Sequence, residues 1–188
     1  ILVIEGAISH PFIIKSNLLM SHTFSDVMHY FKSQRCGGIF DKQDKKAPVL
    51  NSNETVDVHG GWYDASGDVS KYFSHLSYAN YLNPQQIPMV VWNMLKGLEL
   101  TQNQSDFAAF SRTRLTEEAL FGADFLVRMQ NPAGFFYMTV FDKWSKDINQ
   151  RDICAYATQE GLKSDDYQAG FRQGGGIAIA ALASASRL

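Results

Sequence analysis

The spacing of apolar residues changes character near residue 20. Residues 1–20 read as extended chain: Ile1-Leu2-Val3-Ile4 runs to a break at Gly6, and Phe12-Ile13-Ile14 follows Pro11, with β-branched and aromatic residues dominating. Two such short strands cannot stand alone and need a sheet to join. From Ser21 the period becomes helical. Phe24, Val27, Met28 and Phe31 mark one face, Ser21, Thr23 or Ser25 can cap the start, and glycines at Gly37 and Gly38 stop the helix. Residues 39–58, rich in Lys, Asp, Asn and Ser, read as a long loop of the kind that is usually functional or mobile.

Three more helices follow from the same pattern. Pro84 and Pro88 precede Met89, Val90, Trp92, Met94, Leu95 and Leu98, placing prolines at a helix start where the missing N–H costs least. Residues 111–130 carry Leu115, Ala119, Gly122, Leu126 and Met129 on one side, with Arg112, Glu117, Glu118 and Arg128 elsewhere. Asn131-Pro132-Ala133-Gly134 closes that helix as a turn, and residues 135–141 have the aromatic and β-branched content of a short extended segment. Gly174-Gly175-Gly176 then opens an Ala-rich helix over residues 177–183, able to pack closely on a neighbour. Helices at such intervals, with no βαβ pattern, predict a mainly α architecture of helix packed on helix.

Composition narrows the function. The 188 residues are 45% hydrophobic and 13% aromatic, enough for a sizeable core. The 17 basic and 19 acidic residues are scattered and leave a net charge of -2, which gives no field for nucleic acid or an anionic membrane. No apolar run approaches the length of a membrane span, and the first residues lack the basic start and long apolar stretch of a secretory signal. Cys36 and Cys154 stand far apart, read as reduced core thiols, and form no disulfide framework.

Candidate chemistry concentrates in His59-Gly60-Gly61-Trp62-Tyr63-Asp64-Ala65-Ser66-Gly67-Asp68. Glycines there let the backbone bend or approach a ligand, and Trp62 and Tyr63 offer flat faces of the kind that stack on sugar rings. Two carboxylates beside aromatic platforms suggest glycoside chemistry, in which one carboxylate activates a water and a separate carboxylic acid protonates the leaving oxygen. An ordinary Asp- and Gly-rich turn is the plain alternative. Trp92 at helical spacing reads as core, and for Trp144 a core role and a sugar-platform role stay equally open. Cys36 and His59 are too few to complete a four-coordinate zinc site, so neither a metal nor another cofactor is expected.

The run from Gly60 to Tyr72 also resembles the signature of glycoside hydrolase family 9, Gly-Gly-(aromatic)-(any)-Asp-Ala-Gly-Asp followed by a Lys and an aromatic. Gln34-Arg35-Cys36-Gly37 and the stretch from Phe171 to Gly176 are similar to the same family. Here Ser66 is inserted before the Gly, so the two aspartates are four positions apart instead of three. That variant looks most like the bacterial exo-β-D-glucosaminidase branch. The resemblance implies an (α/α)6 barrel, with residues 21–188 as its first part and residues 1–20 as the last strands of an immunoglobulin-like β-sandwich. It implies that Asp68 is the general base, that Asp64 holds the same water or adjusts the charge of the base, and that Trp62 and Tyr63 contact the substrate. The implied reaction is inverting hydrolysis of β-1,4 bonds in chitosan- or cellulose-derived oligosaccharides, glucosaminides preferred. The acid, a Glu late in the family's catalytic domain, is implied to lie outside this chain, which would then work only with the remainder of that domain. Beyond an oligosaccharide, neither nucleic acid nor membrane is an expected partner. A bacterial cytoplasm or periplasm is the expected compartment.

Overall fold

Why the chain folds as it does is clearest in its helices, whose apolar stripes meet around one core. In the computed structural model, residues 1–65, 67–74, 86–104, 107, 109–157 and 160–188 are described. A π-helical turn at Leu19–Thr23 leads into α1 (Phe24–Ser33), which buries Met28 and lays Phe24 and Phe31 against the core. Helix α2 (Gly38–Asp44) follows, then α3 (Ile87–Thr101), α4 (Ala109–Arg128) and α5 (Gly175–Ala185). Helix α3 packs on both α4 and α5 through Val91, Met94, Leu95 and Leu98. Gly122 marks the tightest place on α4, since a Cβ there would stand 2.3 Å from Trp62 and 2.5 Å from Val91. Pro88 lies in the first turn of α3, as its missing N–H favours, while Pro84 lies outside the described residues.

Strands supply the rest. Val3–Ile4 (β1) and Ala7–Ile8 (β2) form a two-stranded antiparallel hairpin, turned at Glu5 and Gly6 with φ of 48° and 84°; residues 12–14, read as extended, are in no strand. Ala47–Pro48 (β3) pairs with Thr55–Val56 (β4). Lys71–Tyr72 (β5) is the edge of a four-stranded antiparallel sheet, ordered against Thr139–Phe141 (β8), Asp152–Ala157 (β9) and Leu162–Ser164 (β10), with Tyr72 opposite Thr139 and Thr139 opposite Cys154. Gln130–Asn131 (β6), Phe135–Tyr137 (β7) and Gln168–Ala169 (β11) make a third small sheet.

The expectation of a mainly α chain, the first part of an (α/α)6 barrel behind a sandwich, is therefore overturned. Among the described residues the structure is mixed, 44% helical and 21% strand, with several antiparallel sheets. The reason lies in the strand lengths. Most strands are two or three residues, too short to show a period of two, and some, such as β5 with β8 and β7 with β11, are fixed by pairing partners distant in sequence. The expected long loop at residues 39–58 likewise contains α2, β3 and β4. Its short helix follows no apolar stripe and instead delivers one buried carboxylate, Asp44. Among the described residues no helix is long and apolar enough to cross a membrane.

Candidate active site

Two layers hold the Gly60–Asp68 segment in place. Its outer strand of backbone is fastened to the turn after α1 and to α2: Cys36 N–H donates to the Gly61 carbonyl at 2.8 Å, Tyr63 N–H to the Gln34 carbonyl at 2.8 Å, and Gly60 N–H to Asp41 Oδ1, on α2, at 2.8 Å. Gly61 has φ of 72°, and a Cβ on it would stand 2.9 Å from the Phe125 ring, so both conformation and space demand glycine there.

Beneath lies a dry ionic cluster. Asp44, Lys71 and Arg151 are all 0% exposed. Arg151 grips Asp44 with two bonds, Nε to Oδ1 at 2.6 Å and Nη2 to Oδ2 at 2.9 Å, and Lys71 Nζ reaches Asp44 Oδ2 at 2.6 Å. Burial alone would raise the Asp44 carboxyl, but the charge of Lys71 and the bonds and charge of Arg151 hold it below its ordinary value. The same two cations reach the candidate segment. Lys71 Nζ donates to the carbonyls of Val58 at 2.5 Å and Gly60 at 2.9 Å, and Arg151 Nη1 donates to the Val69 carbonyl at 2.7 Å. One carboxylate thus fixes the position of the loop from both ends.

Asp68 is half-buried and held at both oxygens. Ser70 N–H donates to Oδ1 at 2.9 Å and the Tyr72 hydroxyl donates to Oδ2 at 2.9 Å. Its own N–H bonds the Ala65 carbonyl at 3.0 Å, closing the turn; the inserted Ser66 lies outside the described residues. An ionised carboxylate has about four lone-pair positions. Two of them remain for a water or a hydroxyl. Asp64 is exposed, its N–H bonded to the Ser70 carbonyl at 3.1 Å, and it lines a cleft of about 240 Å³ together with Trp62, Tyr63, Phe31, Gln34 and Gln86.

The two aromatic residues of the motif differ. Trp62 is only 4% exposed, packs edge-on to Phe31 and Phe121, and donates its indole N–H to Glu118 Oε1 at 2.7 Å. Tyr63 is half-buried at the cleft; its hydroxyl donates to the Gly37 carbonyl at 3.1 Å, and burial pushes the phenol up to about 12. Glu118 is itself gripped by Arg35 through Nε and Nη2 at 3.1 and 2.7 Å. His59 Nδ1 lies 2.6 Å from Asp57 Oδ1, and Cys36 Sγ lies 3.6 Å from Asp44 Oδ2. Among the described residues no group of three His, Cys, Asp or Glu side chains could hold a metal ion.

Sequence reasoning missed the residues that support Asp68 from the sheet. Tyr72 projects from β5, and the 41%-exposed Trp144 donates its indole N–H to the Tyr72 hydroxyl at 3.2 Å. Ser70 Oγ donates to the buried Asp142 at 2.9 Å, and Asp142 also accepts from the N–H groups of Trp144 and Lys146 at 3.1 and 2.7 Å. That turn holds Lys143, Trp144 and Lys146 at positive φ, 61°, 56° and 57°. The run of tryptophan, lysines and aspartates at 142–147 carried a composition signal, but nothing in it pointed at residue 68.

Comparison with known proteins adds the family. The family model described as glycosyl hydrolase family 9 matches residues 21–188. None of the curated proteins matches. Among solved structures, a family 9 endoglucanase, J30, is similar at 24% identity with a TM-score of 0.47, covering 70% of this chain and 27% of that one. A Zn-binding triple mutant of the same endoglucanase is similar at 23% identity with a TM-score of 0.42, covering 62% and 25%. The chain therefore spans about a quarter of the length of these structures.

Proposed function

Since the chain belongs to glycosyl hydrolase family 9, we propose that it carries the water-activating half of a glycosidase that hydrolyses β-1,4 bonds with inversion. Asp68 takes the proton of the attacking water, and Asp64, at the cleft, steadies the same water. Trp62 and Tyr63 line the cleft on the substrate's side. The leaving-group acid is assigned to a glutamate outside this chain, so the chain by itself binds sugar without turning it over. The observation that carries this reading is the Asp68 carboxylate, fixed through two donors and with lone pairs to spare.

The substrate is a chitosan- or cellulose-derived oligosaccharide, with glucosaminides preferred on the strength of the Asp-Ala-Ser-Gly-Asp variant. One observation favours the rival, a neutral glucan cut by an endo-β-1,4-glucanase. A Cβ on Gly67 would stand 3.8 Å from Lys146 Nζ, and an ammonium there repels a protonated sugar amine. Parallel assay of the intact protein on glucosamine and glucose oligomers decides between them, and turnover of the glucose series alone rejects the glucosaminide preference. Asp68→Asn in the intact protein should abolish hydrolysis of both with the fold retained, and the sugar first released from the β-linked substrate by wild type should be the α-anomer. Undiminished turnover by that variant rejects Asp68 as the base.

A further inference from the structure

We infer that Tyr72, aligned by Trp144, is a positioning residue that sets the orientation of Asp68. The inference rests on the reading of Asp68 as the general base. An indole N–H can only donate, so in the 3.2 Å contact from Trp144 Nε1 the Tyr72 oxygen must be the acceptor. A phenol has one proton. The Tyr72 hydroxyl in turn donates to Asp68 Oδ2 at 2.9 Å, so Trp144, Tyr72 and Asp68 are joined in that order.

The chain is rigid at its inner end. Tyr72 is 1% exposed, its ring 5.6 Å from Tyr156 and 6.3 Å from Phe141, with Cys154 in the same buried cluster. Trp144 stands edge-on to Phe141 and Tyr156 with centroids at 5.1 and 5.8 Å. Its backbone is held at φ of 56° by the Asp142 carboxylate. A donor fixed this way aims the remaining lone pairs of the carboxylate.

Other charges also face Asp68 and are left in place by the test. Asp64 lies in the same turn, Lys146 lies against Gly67, Asp142 reaches Ser70, and Arg151, paired with Asp44 beside Lys71, holds the Val69 carbonyl. Burial, and next the neighbouring Asp68 charge, push the Tyr72 phenol far above its ordinary value, so it remains a donor through the neutral range.

The test is kcat and KM of the intact protein on soluble β-1,4 glucosamine and glucose oligomers. Tyr72→Phe keeps the ring and deletes the donor. It should lower kcat by about tenfold with KM little changed. Trp144→Phe, altered near the surface, should lower kcat in the same way by less, and it keeps the test open should the buried variant not fold. An unchanged kcat, or a loss confined to KM, in a folded Tyr72→Phe protein, or in Trp144→Phe if the former does not fold, overturns the inference. Asp68→Asn separates the two levels: if it is inactive while the Tyr72 and Trp144 variants are unchanged, only the relay is wrong, and if it is active, the reading beneath it is wrong.

Discussion

Replacing Asp44 with Asn tests whether the ionic cluster under the loop is what holds the site together. The carboxylate accepts from Arg151 at 2.6 and 2.9 Å and from Lys71 at 2.6 Å, with all three side chains fully buried. Asparagine keeps the shape and one acceptor oxygen but leaves two cations in a dry interior with no counter-charge. Removing one partner of a buried ion pair costs about 3–5 kcal/mol, because the orphaned charge cannot regain water. Here two charges are orphaned, so the loss should reach the upper part of that range, against a total stability of about 5–15 kcal/mol for a typical domain. Urea unfolding of the intact protein, followed by tryptophan fluorescence, measures it, with the midpoint falling and the slope unchanged. The acid side gives an independent check. The folded Asp44 carboxyl lies below its ordinary value of roughly 3.9, so its contribution is fully present above that value and disappears as pH falls through the lower, folded one. Wild type should lose this increment in strong acid, and Asp44→Asn should lack that part of its acid dependence. A loss below about 1 kcal/mol would show that water or backbone shifts relieve Lys71 and Arg151, and the reasoning would fail. Replacing Asp44, Lys71 and Arg151 together by apolar residues of similar volume should recover most of the stability while disturbing the loop.

Other expectations follow from single contacts. Gly61→Ala places a Cβ against Phe125 at a positive φ, and should lower stability by about 2–4 kcal/mol in urea melts from strain and overpacking together; a neutral result would mean that Phe125 moves aside freely. Glu118→Gln leaves Arg35 without its counter-charge and with one acceptor oxygen to share with the Trp62 indole, and should cost about 1–3 kcal/mol and change the tryptophan emission, which fluorescence melts would detect. Burial raises both thiols, Cys154 to about 12, so iodoacetamide labelling at pH 8 should follow global unfolding; fast labelling of the native protein would contradict the buried placement.

Helices were legible because they announce themselves locally. Phe24, Met28 and Phe31 of the first stripe and Met94, Leu95 and Leu98 of the second face the core where the spacing put them, while Val27, read on the same face, is exposed and the buried Val91 was not singled out. The Gly60–Asp68 segment also stood out, through glycines whose positive φ the fold requires. What stayed hidden was held by distant partners. Strand β5 is two residues long and exists because Val140 and Thr139 lie opposite it. Asp44 looked like one acidic residue in a polar loop, yet its partners are 27 and 107 positions away. Trp62 stood out as a flat aromatic face beside carboxylates and does line the cleft, but the Glu118 carboxylate that holds its N–H comes from α4, out of reach of any local pattern. Local pattern carries no information about such pairings.

The 107-residue separation between Asp44 and Arg151 also orders events during synthesis. A ribosome adding about 5–20 residues per second needs several seconds between delivering the aspartate and delivering the guanidinium that clamps it. From position 68 onward the Trp-Tyr segment is translated yet lacks the Arg151 part of its anchor. The geometry of the Gly60–Asp68 segment is therefore acquired late, as a product of the closing tertiary contact, and a nascent chain halted before position 151 would carry the whole motif without its full set of anchors.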